Sequence, residues 1–197
     1  MAPVATTFGL QQTGRPVAEQ IMLATPRLTL RLMSGADVTR LYEVNQRLNA
    51  RSLTAPPLDR EAIEELRAVF EGEWHLFGLG YLMICQGGRP VGHVRLKLIP
   101  DCVSGRAAEL SFAIVPAEQG HGYASEAVAA VLRFAFETAG LDYVVACVEP
   151  DNHASVVVVE RNGLVPVATG RHHGRLMRRY LLPSLMWRAQ QRAIGNA

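Results

Sequence analysis

Cysteine is scarce in this chain of 197 residues: Cys85, Cys102 and Cys147 are all it has. They are odd in number and widely spaced, so neither a disulfide framework nor a zinc site is indicated, and a reducing compartment is the simpler reading. Long apolar runs are missing as well. None reaches the roughly 18 residues of a membrane span. The N-terminus also lacks the basic-then-apolar order of a secretory signal. A cytoplasmic protein without a membrane partner is the expectation. A surplus of one charge is missing too. The net charge is +2, too small to suggest nucleic acid by itself.

What is present reads as one globular domain. Hydrophobic residues make up 49% and charged residues 19%, and the length allows a sizeable core. Residues 1–20 are small and polar, with Gly9, Gln11, Gln12, Thr13 and Gly14 and no period. They read as a flexible arm ahead of a single domain at 21–190.

The chain is organised around Pro116 to Ala127. An apolar strand-like run, Leu110 to Val115, feeds into it. Beyond it Ala124, Ala127, Val128, Val131, Leu132 and Ala135 fall at helix spacing. Gly120 and Gly122 therefore occupy a turn between a strand and a helix N-terminus. Glycine removes side chains that would crowd an approaching group. The free N–H groups of a first helical turn, with the helix dipole behind them, suit phosphate or pyrophosphate. A dinucleotide-binding turn is the rival, but its fingerprint needs Gly or Ala where this chain has Ser125, and it opens a parallel sheet.

Around that turn, alternation predicts a strand at Arg27 to Leu32. Ser34 and Asp37 start a helix, and Asp59 caps a second one to about Phe70, with Ile63, Leu66, Val69 and Phe70 inward. Gly80 to Cys85 and Val91 to Ile99 are strands joined by the turn at 86–90. Asp101 to Gly105 makes another turn, and Ala107 to Val115 is a third strand. Short turns make these three antiparallel. The helix of about 122–139, closed by Gly140, crosses over to a parallel strand, Asp142 to Val148. Asn152 starts a short helix that Asn162-Gly163 ends. Its Val156 to Val159 favours strand by propensity, but the caps decide for helix. Leu164 to Thr169 and Arg178 to Trp187 are two last strands. The order β-α-α-β-β-β-α-β-α-β-β is an α/β fold with a mixed, mostly antiparallel sheet flanked by helices.

That order resembles the GNAT superfamily of acetyltransferases, and within it the Rim-type branch that acetylates ribosomal-protein N-termini. Pro116 through Ala127 is similar to the family string P-x-x-x-G-x-G-Y-A-x-E-A. Asn152 to Ser155 with Glu160 to Leu164 is similar to N-x-x-S-x-x-x-x-E-x-x-G-F. Thr25 to Arg31 is similar to the T-x-R-L-x-L-R start of that branch. The likeness covers about residues 23–187. It implies acetyl-coenzyme A as donor, no metal, and direct transfer of the acetyl group to a primary amine. The acceptor would be the N-terminus of a ribosomal or other protein, or a small-molecule amine. It implies a pyrophosphate on the amides of Gln119, Gly120, His121, Gly122, Tyr123 and Ala124. It also implies a pantetheine arm added like a strand beside Phe112, Ile114 and Val115, where amides need backbone partners. A monomer or homodimer is compatible with it. The alternative of another class is an acyl-coenzyme A-binding regulatory module without catalysis.

Several positions have both a plain and a functional reading. Glu109 shares a strand face with Ser111, Ala113 and Val115. It is a surface ion pair or the base, because an ammonium must lose its proton before it attacks a thioester. Asn152 and Ser155 form a helix cap with a hydroxyl in the first turn. Both can also serve a ligand, Asn152 by bonding the pantetheine and Ser155 as the acid to the leaving thiolate. Many family members carry a Tyr acid seven residues after the Asn, where this chain has Val159. His93, Arg95 and Lys97 alternate on one strand face, read as solvated. His172, His173, Arg175, Arg178 and Arg179 are a basic cluster without the aromatic interleaving of single-strand binding, so no direct nucleic-acid contact is expected. Glu126 suits the start of its helix, where negative charge is favoured.

Overall fold

The computed structural model describes residues 21–33, 37, 60–99, 105–172 and 174–195. The helix expected from Ser34 and the turn at 101–104 lie outside them. Among the described residues eight strands form one sheet: β1 (Ile21–Ala24), β2 (Thr29–Leu32), β3 (Tyr81–Gln86), β4 (Arg89–Ile99), β5 (Ala107–Ile114), β6 (Tyr143–Val148), β7 (Val165–His172) and β8 (Arg175–Pro183). Their order across the sheet is β1-β2-β3-β4-β5-β6-β8-β7. The described helices are α1 (Arg60–Phe77), α2 (Tyr123–Arg133), α3 (His153–Arg161) and α4 (Ser184–Gly195).

The strands β3, β4 and β5 are consecutive antiparallel neighbours, as their short connections require. β5 and β6 are parallel, with α2 crossing over between them. Side chains alternate across a strand, so register sorts them into two faces. One face carries Leu30, Leu82, Ile84, Val94, Leu96, Leu110, Val144, Ala146, Tyr180 and Leu182, all buried. α2 covers it with Ala127, Val128, Val131 and Leu132, the helical turn that continues it at Phe134–Thr138 adds Ala135, α3 adds Val159, and α4 adds Trp187. Trp187 packs against Phe136 with ring centroids 5.4 Å apart. The other face is polar along its centre. There Lys97 lies opposite Glu109, Arg95 opposite Ser111, and His93 opposite Ala113. A small second cluster sits on it: Met33, Met83 and Cys85 under Leu66, Phe70 and Tyr81.

Expectations change at three places, and one contested expectation holds. β1 is an additional strand, made by a tight reversal at Thr25–Leu28 whose hydrogen bond runs from Thr25 N–H to Leu28 O at 2.9 Å. α1 continues seven residues beyond Phe70, to Phe77, and Val69 is 54% exposed rather than inward. The last strand begins at Arg175 and stops at Pro183, and Ser184 to Gly195 is helix, not strand. Proline has no N–H to continue a ladder, which ends β8 there. The expected helix at 153–161 forms despite four successive valines, because the Asn152 side chain accepts the Ser155 N–H at 3.1 Å.

Candidate active site

β5 is held on one side by β4 along its whole length. On the other side it pairs with β6 only at Ala107, Ala108 and Glu109, opposite Tyr143, Val144 and Val145. Beyond those residues the two strands diverge. Val115 donates its N–H to Val91 O on β4 at 2.9 Å. Strand alternation therefore turns the amides of Phe112 and Ile114 the other way, into the cleft between β5 and β6. Gln119 closes the near end of that edge, its Nε2 donating to Ile114 O at 3.0 Å.

The cleft leads to the glycine turn. Glu118 and Gln119 fold back on Val115 and Pro116 through hydrogen bonds of 2.8 and 3.3 Å. Gly120 and Gly122 then take φ of +81° and +78°, the left-handed region that side chains disfavour. A Cβ at Gly120 would meet no protein atom, and one at Gly122 only an Arg27 nitrogen at 3.5 Å. It would project into the open side of the turn. Glu126 N–H makes the first intrahelical bond of α2, to Gly122 O at 3.1 Å. The amides from Gly122 to Ser125 precede it and lack intrahelical partners. His121 stacks on Tyr123, centroids 5.5 Å apart and 18° from parallel.

Side chains brace this turn from both flanks. Arg89 pairs with Glu118 at 2.7 Å, and that guanidinium holds the Glu118 carboxyl below its ordinary value. On the other flank Glu126 gathers the Thr25–Arg27 reversal. It accepts from Thr25 Oγ1 at 2.6 Å, from Arg27 N–H at 3.0 Å and from Arg27 Nε at 2.6 Å. Arg27 also donates to His121 O at 2.9 Å and lies over the Tyr123 ring at 5.1 Å. Burial raises the Glu126 carboxyl, but the bonds from Thr25 and Arg27 outweigh it and the net shift is downward. Sequence reasoning gave Glu126 only a helix-start role. The missed signal was that two of the family-like stretches, Thr25 to Arg31 and Pro116 to Ala127, meet in space.

Asn152 and Ser155 begin α3 beside the carboxyl end of β6. Asn152 is exposed and Ser155 half-buried. Val159, one turn on from Ser155, is wholly buried in the core. α3 is tied to α2 through Asn162, whose Nδ2 donates to Val158 O at 2.9 Å and Ser125 O at 3.4 Å.

On the polar face Glu109 is half-buried. Burial pushes the Cys147 thiol up and the charge of Glu109 adds to that, while Arg179 opposes it. Glu109, Cys147 and Arg179 thus share one patch beside the cleft. The solvated reading of β4 does not hold for two of its three residues. His93 is 6% exposed. Arg95 is tied to Glu73 of α1 by an ion pair and stacks over Tyr81 at 4.5 Å. Lys97 alone is exposed. Within the basic cluster Arg175 pairs with Glu149 at 2.6 Å, across a surface cleft lined by Glu149, Pro150, Asp151, Arg175 and Leu176. His173 lies outside the described residues.

The model of the acetyltransferase (GNAT) domain family matches residues 27–165. The chain belongs to the GNAT acetyltransferase family. An acetyltransferase from Agrobacterium tumefaciens is 31% identical, with 81% of this chain and 92% of that one covered at a TM-score of 0.64. RimL, a ribosomal L7/L12 alpha-N-protein acetyltransferase in complex with coenzyme A, is 18% identical, with 83% and 98% covered and a TM-score of 0.70. The spermidine/spermine N-acetyltransferase SpeG of Vibrio cholerae, in mutant forms, is 20% identical, with 85% and 99% covered and a TM-score of 0.66. At those identities the last two show the fold alone. No curated protein matches the chain at a significant level. The GNAT assignment agrees with the mixed sheet and with the GNAT likeness read from sequence. Among the described residues of this GNAT domain no group of His, Cys, Asp or Glu is arranged to hold a metal, and no helix is long and apolar enough to cross a membrane.

Proposed function

We propose that the protein is an N-acetyltransferase that moves the acetyl group of acetyl-coenzyme A to a primary amine. The observation that carries this reading is the divergence of β5 from β6 directly ahead of the glycine turn. It gives a strand edge for an amide-bearing arm, ending at a helix N-terminus fit for a pyrophosphate. The residues fit that donor: Gln119, Gly120, His121, Gly122, Tyr123 and Ala124 hold the phosphates, Phe112 and Ile114 the arm, and Asn152 with Ser155 the far side, whereas the Val115 amide is taken by Val91 of β4 and drops out of the set read from sequence. Bound there, acetyl-coenzyme A supplies an acetyl thioester activated toward amines.

The chain's own residues do the rest. Glu109 takes the proton of the incoming ammonium through water, so that the amine arrives with a free lone pair. The amide of Ile114 stabilises the oxygen on which charge develops. Ser155 gives a proton to the departing thiolate. The acceptor is a protein N-terminus or a small amine; relatives of this fold named for ribosomal L7/L12 and for spermidine support both. The unpaired thiols of Cys85 and Cys147 favour the cytoplasm. One observation favours the second reading, a coenzyme A-binding module without turnover: Val159 fills the place of the common Tyr acid and is wholly buried.

Two measurements test the proposal. Titration calorimetry should show coenzyme A binding that falls at least about tenfold in a folded Gly122→Val variant, because a β-branched residue resists positive φ and fills the turn. Unchanged affinity removes the pyrophosphate role. Mass spectrometry of products from a panel of amines should show a gain of one acetyl group, whereas coenzyme A binding with no product from any amine selects the non-catalytic reading.

A further inference from the structure

Arg27 reaches the glycine turn from the reversal between β1 and β2. Its Nη2 stands 3.5 Å from where a Cβ on Gly122 would lie, and beyond the adjoining residues no other described atom comes within 4 Å of that point. The rest of the guanidinium is already engaged. Nε donates to Glu126 Oε2 at 2.6 Å and Nη1 to His121 O at 2.9 Å, and the planar group lies over the Tyr123 ring at 5.1 Å. These contacts fix its plane. They leave the N–H bonds of Nη2 without a protein partner among the described residues. The Glu126 side chain is only 16% exposed, whereas that of Arg27 is 50% exposed. A largely buried carboxylate thus anchors the cation from one edge, and its free edge faces the open side of the turn. The amides of Gly122 to Ser125 lack intrahelical partners on that same turn. A rigid guanidinium edge beside unpaired amides suits the oxygens of a phosphate, because Arg keeps its charge and donates in a fixed plane where an ammonium is only a point charge.

We infer that Arg27 is a cofactor-binding residue whose Nη2 donates to the pyrophosphate of coenzyme A in the glycine turn. This rests on the acetyl-coenzyme A reading above. Glu126 and His121 hold the side chain in place beforehand, so little rotamer freedom is lost when the phosphate arrives. The reversal at Thr25 to Leu28 then contributes a ligand contact as well as bracing the turn.

The test measures dissociation constants of coenzyme A and of 3′-dephospho-coenzyme A by titration calorimetry for the parent, Arg27→Gln, Arg27→Lys and Thr25→Val. Thermal unfolding shows which variants fold. Gln removes the guanidinium. Lys keeps the charge without the planar edge. Thr25→Val breaks the hydroxyl bonds to Glu126 and Leu28, which loosens the same reversal and leaves the guanidinium in place. The expected result is coenzyme A binding weakened about tenfold to a hundredfold in Arg27→Gln and about threefold to tenfold in Arg27→Lys. The dephospho form should lose the same factors, and Thr25→Val should stay within about threefold of the parent. Added salt should weaken the parent more than Arg27→Gln. Parental affinity in Arg27→Gln overturns the assignment, and if that variant does not fold, parental affinity in Arg27→Lys does so. Thr25→Val as impaired as Arg27→Gln also overturns it and leaves Arg27 a brace. A loss confined to coenzyme A, with the dephospho form unaffected, overturns it by moving the guanidinium to the 3′-phosphate. A parent that binds neither ligand overturns the underlying functional reading instead.

Discussion

The two faces of the sheet are built from the same strands, offset by one residue, and are put to opposite uses. The face under α2, α3 and α4 is apolar nearly throughout, from Leu30 across Val94 and Leu110 to Val144 and Tyr180. The other carries His93, Arg95, Lys97, Glu109, Ser111, Cys147 and Arg179 in register across β4, β5, β6 and β8. Two of its charges are held in specific pairs, Arg31 with Asp37 at 2.5 Å and Arg95 with Glu73. The difference shows where the fold gains its stability and where it keeps chemistry. Apolar burial is non-directional and tolerates no free polar group, so the groups that must meet a substrate collect on the face that burial does not need.

Changing the apolar face should therefore affect folding, and changing the polar face should affect turnover. The largest effect is expected from Leu132→Ala on α2, where an interior side chain is deleted. A loss of about 2–5 kcal/mol is expected in urea unfolding, with the coenzyme A affinity of the folded fraction unchanged. A loss under about 1 kcal/mol would show that this face is not closely packed.

Glu109→Gln makes the matching change on the polar face. Its kcat/KM should fall by about a hundredfold at neutral pH and by less at high pH, where the amine is already neutral. Unfolding stability should stay within about 1 kcal/mol of the parent. Equal activity of parent and variant across the pH range would return Glu109 to a structural role. Ser155→Ala, at the edge of both faces, should cost less, about tenfold in turnover, since a thiolate leaves tolerably without help. No effect on the chemical step would make water the acid.

The smallest effect is expected at the brace that joins the faces near the glycine turn. Glu126→Gln should cost about 1 kcal/mol by loosening Thr25 and Arg27. The pH dependence has a definite sign. The folded Glu126 carboxyl lies below its ordinary value, so its contribution is present above the ordinary carboxylate range and is lost as pH falls through the lowered folded value. The variant should lack that part of the acid sensitivity. Identical acid unfolding curves for both proteins would remove Glu126 from the account.

Local signals carried much of this in the sequence. The glycines at 120 and 122 permit positive φ whatever surrounds them. The Asn152 cap overrode four valines because its hydrogen bond is local. Alternation along β3, β4 and β5 gave their antiparallel order through turn length alone. The end of β8 was harder, since Leu181, Leu182 and Trp187 read as one apolar run and the stop depends on Pro183 and Ser184. Ser184 N–H then bonds to Asp142 O at 2.8 Å, a partner 42 positions away that no window on the sequence contains.

By itself, then, the sequence determined what depends on neighbours along the chain: the glycine turn, the caps, the strand faces and the β-to-α crossover. Only the tertiary structure decided what depends on partners far apart. It made β1 a strand by pairing it with β2, drew Thr25 and Arg27 onto Glu126, parted β5 from β6 after Glu109, and enclosed His93 where alternation on β4 suggested water. The physical reason is common to all four. Burial and cross-strand pairing are set by segments that meet only when the chain has folded, and the pattern of one strand does not record what covers it.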